Sequence, residues 1–304
     1  MTASSPRVSI ILPTHNRAWC LRNALTSVME QTFQDFELIL VDDASTDGTA
    51  QVLAEFPRLI LLRNEKKSGV SCARNLGLEQ ARAPYICFLD SDDRWTPDKL
   101  EVQWRWMQSH PQDMASYTDE IWIRNGVRVN PKKKHQKYSG DIFKHCLPLC
   151  LISPSSVMMT SEVLGKIGRF DESLPACEDY DLWLRLTARY PVHFISQKLI
   201  VKTGGHADQL SKKYWGMDCF RVYALNKLLS QNNLTGERRR WALEMLIQKC
   251  CILQAGFTHR GKTGPARLYQ QAVQAFTRDL EGAPCLWENK IKFGREVLSH
   301  ALEH

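Results

Sequence analysis

No run of roughly 18 consecutive apolar residues occurs in the chain, so no membrane-spanning helix is expected. The first residues, Met1 to Pro6, lack the apolar region of a signal peptide and lead straight into a strand pattern. A cytoplasmic location is the expectation. The ten cysteines have no metal-ligand spacing, and Cys250 and Cys251 are adjacent, which excludes a Cys-x-x-Cys site there. Cys20, Cys72 and Cys87 fall inside apolar patterns, as buried thiols do. All ten are expected to be reduced and structural. No internal repeat and no low-complexity segment are found, which excludes solenoids and arrays. No glycine-rich loop follows the first strand pattern, where Pro13-Thr14-His15-Asn16-Arg17 stands instead.

What is present is a globular composition over 304 residues, enough for one large domain or two ordinary ones. Net charge is +7, and the excess is local: residues 131–137, Lys212-Lys213, and Arg238-Arg239-Arg240. Basic faces of this kind serve nucleic acid, anionic lipid or phosphorylated substrates, or are simply solvated.

The first 120 residues alternate strand and helix patterns. Strands are expected at Val8–Leu12, Glu37–Val41, Leu59–Leu62 and Tyr85–Leu89. Helices are expected at Trp19–Gln31, Gly48–Glu55, Val70–Arg82 and Lys99–His110. Such alternation with short loops implies right-handed crossovers and a mainly parallel sheet. From about 121 to 203 the pattern is less regular. It contains a strand at Val157–Thr160, a helix at Tyr180–Tyr190, and strands near Val192–Ile195 and Leu199–Lys202. After Gly204-Gly205 the chain reads as helical, with a boundary expected at about 205–215.

The most telling stretch is Tyr85-Ile-Cys-Phe-Leu-Asp-Ser-Asp-Asp93. An apolar strand ends in three carboxylates, Asp90, Asp92 and Asp93, at the end of the sheet where open α/β folds bind ligands. Hard oxygen donors suit Mg²⁺ or Mn²⁺ shared with substrate phosphates. Asp93 or Thr96 could instead cap the next helix. The strand at Glu37–Val41 likewise ends in Asp42-Asp43, which could accept hydrogen bonds from a base or ribose. Ser45, Thr46 or Asp47 would cap the helix that follows. Gly69 opens a helix whose free N–H groups, with Arg74, would suit an anion. Glu178-Asp179-Tyr180-Asp181 crowds a helix N-terminus, where the macrodipole favours acids. One of these carboxylates could serve as a general base.

Taken in order, Val8 to Arg17, Val41 to Asp47, Gly69 to Asn75, Phe88 to Asp93 and Glu178 to Trp183 resemble family 2 glycosyltransferases, inverting enzymes of the GT-A fold. The resemblance covers about residues 7–205. It implies a Rossmann-like, mainly parallel sheet flanked by helices, with a C-terminal helical extension. Residues 1–205 would be the catalytic domain, with a nucleotide-sugar half at about 7–120 and an acceptor half at about 121–205. Residues 206–304 would be helical. The resemblance implies that Pro13, Thr14, His15, Asn16, Asp43, Gly69 and Arg74 line the nucleotide site. Asp90 and Ser91 would lie at the ribose, and Asp92 would hold the metal, Mg²⁺ or Mn²⁺. His206 would reach the metal or diphosphate, and Asp179 would take the acceptor proton. The family usually has Tyr where His15 stands.

The implied activity is transfer from a nucleoside-diphosphate sugar, uridine-linked, to a hydroxyl of a saccharide or lipid-linked acceptor in surface polysaccharide or glycolipid assembly. The alternatives are a nucleotidyltransferase, which the absent glycine-rich loop disfavours, and a basic nucleic-acid-binding module. The basic clusters lie apart from most aromatics, so no nucleic-acid partner is expected. The helices after residue 206 would pack on the sheet or on a second subunit. A weaker expectation lays their basic edge on the inner face of an anionic membrane.

Overall fold

In a computed structural model, residues 5–206, 213–214, 216–231, 234–282 and 290–302 are described. Lys212, of the basic pair Lys212-Lys213, lies outside them, as do Trp215 and residues 1–4.

Four parallel strands form the first half of the sheet: β1 (Val8–Thr14), β2 (Phe36–Asp42), β3 (Ile60–Arg63) and β4 (Tyr85–Phe88). Their order is β3-β2-β1-β4. Helices α1 (Ala18–Met29), α2 (Thr49–Leu53) and α3 (Val70–Gln80) make the crossovers. Alternation decides the faces, as the two-residue period of a strand requires. Val8, Ile10 and Leu12 pack with Leu21, Leu25 and Val28 of α1 on one side. Ile11 points to the other side, under α3. There Gly77 is needed: a Cβ on it would stand 2.6 Å from the Ile11 side chain.

The sheet as a whole is mixed. Beyond β4 it continues through β8 (Val157–Thr160), β6 (Ala115–Arg124), β9 (His193–Gly204) and the two-residue β5 (Arg94–Trp95). β8 runs antiparallel to both β4 and β6, while β6 and β9 are parallel. The sequence expectation missed β6 and split β9 in two. The break coincides with register shifts around Asp119, where β9 carries extra residues against β6. Such bulges interrupt the alternation on which strand reading depends. β7 (Val127–Val129) pairs with β6 alone.

Helix α4 (Lys99–Ser109) packs beside α1. Neither Asp93 nor Thr96 caps it. Its N-cap is Asp98, whose side chain caps nothing, and Asp93 is engaged elsewhere. Two short helices, α5 (Phe143–Cys146) and α6 (Ser161–Ile167), flank the central helix α7 (Glu178–Thr187).

The last four helices are α8 (Asp218–Ser230), α9 (Gly236–His259), α10 (Thr263–Leu280) and α11 (Lys290–Leu302). They do not form a separate core. Phe220, Leu246, Phe257, Tyr269 and Phe293 belong to one apolar cluster with Trp183 and Leu186 of α7 and with Phe88 and Tyr117 of the sheet. Lys227 of α8 bonds Asp171 at 2.6 Å and Asp181 of α7 at 3.2 Å. Packing on one another and on the sheet unit buries most of their apolar residues, while Ile252 and Leu302 remain exposed. Among the described residues no helix is long and apolar enough to cross a membrane, and all nine described cysteines are free thiols.

Candidate functional site

The C-terminal tips of β1, β2 and β4 lie side by side, because the parallel register sets Thr14 against Asp42 and Ile11 against Phe88. At the β1 tip, the hydroxyl of Thr14 is buried and has no hydrogen-bond partner among the described residues. Such orphaned groups are few in folded proteins and call for a reason. Pro13 precedes it, paired with Val41. His15 donates from Nδ1 to the Asp43 carbonyl at 2.7 Å, which fixes its tautomer when neutral. Asn16 sits in the left-handed region (φ 53). Its Oδ1 accepts from Thr46 N–H at 2.8 Å, and its own N–H donates to Ser45 Oγ. Together these bonds lock the β1 and β2 tips to each other.

Asp42 and Asp43 differ in role. Asp42 accepts from Ser45 N–H at 2.9 Å and so shapes the turn. Asp43 reaches the other way: its carboxylate accepts from Asn64 Nδ2, Ser68 N and Gly69 N at 2.7–2.8 Å. It therefore pins the loop that starts α3, where Gly69 takes φ 95, a conformation open to glycine at little cost. Asp47 does supply bonds at the start of α2, to Thr49 N and Oγ1.

The acidic turn after β4 is clamped from both ends. Asp93 N–H closes on Asp90 O at 3.0 Å, and β5 immediately re-enters the sheet against β9. The buried Asp93 carboxylate accepts from Ser155 Oγ (2.7 Å) and Thr203 N–H (3.0 Å). Ser155 Oγ also accepts from Asp90 N–H. With Asp93 held inside, and Ser91 buried, Asp90 and Asp92 are the more open acids of the turn. Asp92 meets His206, just past β9, at 2.8 Å. Burial and the charge of Asp90 push the Asp92 carboxyl above the usual carboxylate range, against the pull of Arg17 and His206. Burial and Asp92 push Asp93 well above it. Burial, more than the mutual repulsion of the three acids, sets both shifts.

Arg74 is where the structure departs most from the sequence reading. Its buried guanidinium does not lie free at the nucleoside end. Nη2 donates to Asp90 Oδ1 and Nη1 to Glu178 Oε1, each at 2.6 Å, and it stacks 5.1 Å from the Phe170 ring centre. One arginine thus ties the acidic turn to the start of α7, a residue 104 positions away. Cys177, in the left-handed region at φ 60, turns the chain into α7. Glu178 is buried, and burial together with the Asp179 charge pushes it up to about 7 despite Arg74. Asp179, beside it, is half-buried and accepts from the Cys150 thiol at 3.1 Å.

Several residues here escaped the sequence reading. Lys202 of β9 lies among Glu120, Asp93 and Asp90, whose charges hold its ammonium above the ordinary lysine value although burial opposes this. Ser155 serves the acidic turn, and Cys150 touches Asp179. Trp19, 56% exposed, packs edge-on to His206 at 5.3 Å. No local pattern marks them, because their partners are distant in sequence. The one local signal is the serine-rich run Ser153-Pro-Ser-Ser156 just before β8, which contains Ser155.

The donor set fits a divalent cation. Asp92 and His206 offer one carboxylate and one imidazole 2.8 Å apart, beside the part-buried carboxylate of Asp90. Among the described residues no group of three or more His, Cys, Asp or Glu could hold a metal by itself. A site that leaves most positions to substrate phosphates and water is the habit of Mg²⁺.

Residues 9–167 match the profile of Glycosyl transferase family 2. The Escherichia coli UDP-Glc:alpha-D-GlcNAc-diphosphoundecaprenol beta-1,3-glucosyltransferase WfgD is 35% identical over 182 residues, 59% of this chain and 69% of that protein. Staphylococcus aureus TarS 1-349, solved in complex with UDP-GlcNAc, superposes with TM-score 0.61 at 18% identity, over 88% of this chain and 91% of that one. The mannosyltransferase PcManGT of Pyrobaculum calidifontis, solved with GDP-Man and Mn2+, gives TM-score 0.56 at 18% identity, over 99% and 88%. At such identities the two structures establish the fold, which is GT-A. The family match removes the nucleotidyltransferase and the non-enzymatic module as readings of the activity. The chain belongs to glycosyl transferase family 2 and is a glycosyltransferase.

Proposed function

We propose that the protein transfers a sugar, with inversion, from a uridine-diphosphate donor to a hydroxyl of a lipid-linked saccharide in cell-envelope polysaccharide assembly. The observation that carries this reading is the Arg74 bridge. It holds the donor-side carboxylate Asp90 and the helix start bearing Asp179 as one unit. Thr14, His15, Asn16 and the Asp43 turn would receive the nucleoside, with Pro13 and Gly69 shaping the walls. Asp90 and Ser91 would lie at the ribose. Asp92 and His206 would hold a divalent cation, which lowers the charge of the leaving diphosphate. Asp179 would accept the acceptor's proton from the side opposite the leaving group, and a single base acting there gives inversion. Positioning and fixed charges supply most of the acceleration. The glucosyltransferase relative acts, by its name, on a diphosphoundecaprenol-linked sugar with UDP-Glc. A lipid-linked acceptor would keep this protein at a membrane face.

Donor preference is open to calorimetry. UDP is expected to bind more tightly than GDP, because Asp43 and the buried Thr14 hydroxyl would offer fixed polar atoms to a pyrimidine edge, and more tightly than dTDP, which lacks the ribose 2′-hydroxyl that Asp90 would meet. Equal affinity for all three would contradict base-specific contact. The anomeric configuration of the product, read by NMR, tests inversion, and retention would remove Asp179 from the proposed role.

The metal site gives a second expectation. Asp92→Ala lowers divalent-cation affinity by about 10–100-fold or more, since even supporting residues of metal sites have that effect. Titration with Mn²⁺ in the presence of UDP measures it. Unchanged affinity, or full transfer in EDTA, removes the metal from Asp92.

A further inference from the structure

Two of the three basic regions of the sequence lie wholly within the described residues, and the structure separates them. The C-terminal triplet is already neutralised. Arg238 pairs with Asp141 at 2.7 Å, Arg239 with Asp279 at 2.6 Å, and Arg240 with Glu244 at 2.9 Å. The other region is the β6–β7 hairpin and the turn after it. No Asp or Glu stands between Ile121 and Gly140. Lys137 is buried against Glu120 at 2.7 Å. The remaining five cations, Arg124, Arg128, Lys132, Lys133 and Lys134, are exposed. None of them makes an ion pair among the described residues.

The hairpin is preformed. Asn125 and Gly126 both take positive φ (49 and 77), the signature of a tight two-residue turn that matches strand twist. Val127, at its tip, is 64% exposed between cationic neighbours. β7 pairs with β6 alone, so its other edge is left without a strand. Its position relative to the cleft is fixed too. Arg124 pairs with Gly204, and Asn125 N–H donates to Gly204 O at 3.1 Å. Two residues further on, His206 touches Asp92.

We propose that the tip of the β6–β7 hairpin and the Lys132–Lys134 turn form a docking surface for an anionic lipid bilayer, with the acidic cleft held beside the headgroups. Unpaired cations around an exposed aliphatic apex match a negatively charged interface with an apolar interior. Nucleic acid fits less well. Single strands are held by exposed aromatic faces, and no aromatic residue occurs between Arg124 and Lys134. Trp122, below them, is packed against His135 and Arg124. The physics is independent of the proposed activity, but its purpose rests on the lipid-linked acceptor.

The test is co-sedimentation of the full chain with vesicles of phosphatidylcholine alone or mixed with phosphatidylglycerol. Salt is varied from about 50 to about 500 mM, across which screening of surface charge becomes strong. Binding is expected only to the anionic vesicles, falling about tenfold or more at high salt. The triple variant Lys132→Gln, Lys133→Gln, Lys134→Gln is expected to lose about tenfold or more, as each basic residue near the surface contributes. Val127→Asp should weaken binding as well, and Arg240→Gln should leave it unchanged. UDP affinity, measured on the same samples, reports that the variants are folded and should not move. Equal binding to neutral vesicles, undiminished binding of the triple variant, or displacement by RNA at lower concentration than by anionic vesicles would overturn the proposal. Anionic-vesicle binding by a chain that glycosylates only water-soluble acceptors would leave it standing and remove the lipid-linked acceptor instead.

Discussion

Asp179→Asn should lower turnover by about two to four orders of magnitude, the usual worth of general-base catalysis, with UDP affinity near that of the parent. The amide keeps the size and the hydrogen-bonding reach of the carboxylate and removes its capacity to take a proton. Asp179 is suited to the role by what it does not do. Its neighbour Glu178 is buried and held by Arg74, and Asp181 is bonded to Arg185 at 2.7 Å inside α7. Asp179 has a thiol, Cys150, as its partner from outside the helix, and remains half-buried. A thiol is a weak donor, so it orients the carboxylate without competing strongly for the proton. Glu178→Gln provides the contrast. It retains an oxygen for Arg74 and should reduce turnover less than Asp179→Asn does. Single-turnover rates and calorimetry with UDP separate the two effects. Lost nucleotide affinity with turnover retained would place Asp179 on the donor side.

The parallel half of the fold was legible because strand and helix periods alternate cleanly over Val8–Met107, and each strand ends abruptly in polar residues. The acidic turn, the two aspartates after β2 and the acid-rich start of α7 could be read for the same reason. What could not be read was which of these acids are already occupied. Asp93 resembles a local cap, yet its partners Ser155 and Thr203 lie 62 and 110 residues away. Arg74 resembles an anion-binding arginine at a helix start, and tertiary structure gives it two carboxylates instead. Arg238 to Arg240 resemble a basic edge until Asp141, Asp279 and Glu244 are seen beside them. β6 was missed because its length from Ala115 to Arg124 is set by pairing with β8, β9 and β7 rather than by one continuous alternation. Sequence patterns report which residue types an element carries, whereas charge neutralisation is decided by pairs that only the fold creates.

Arg74 yields the largest expected change in stability. Arg74→Met should destabilise the protein by about 3–5 kcal/mol, the cost of removing one partner from a buried ion pair. The methionine fills comparable volume, so the loss is electrostatic rather than a cavity effect. Glu178 and Asp90 would face each other across the crevice with no cation between them, and Glu178 is the more deeply buried of the two. The pH dependence identifies the cause. Burial and Asp179 already push Glu178 up to about 7 with Arg74 in place, and removing the guanidinium pushes it higher. A carboxyl whose folded value is raised binds more protons folded than unfolded, so its contribution to stability is present at low pH and lost as pH rises. In the parent that loss is complete above about 7. In Arg74→Met it continues to higher pH, so the gap between the two proteins should widen from about pH 6 to about pH 8. Urea midpoints at the two pH values measure it. Arg74→Lys should recover part of the stability, because an ammonium restores charge but cannot bridge two carboxylates with a rigid fork. A gap that is constant with pH, or a lysine variant as stable as the parent, would show that Arg74 supports the site by packing on Phe170 rather than by joining its two acidic halves.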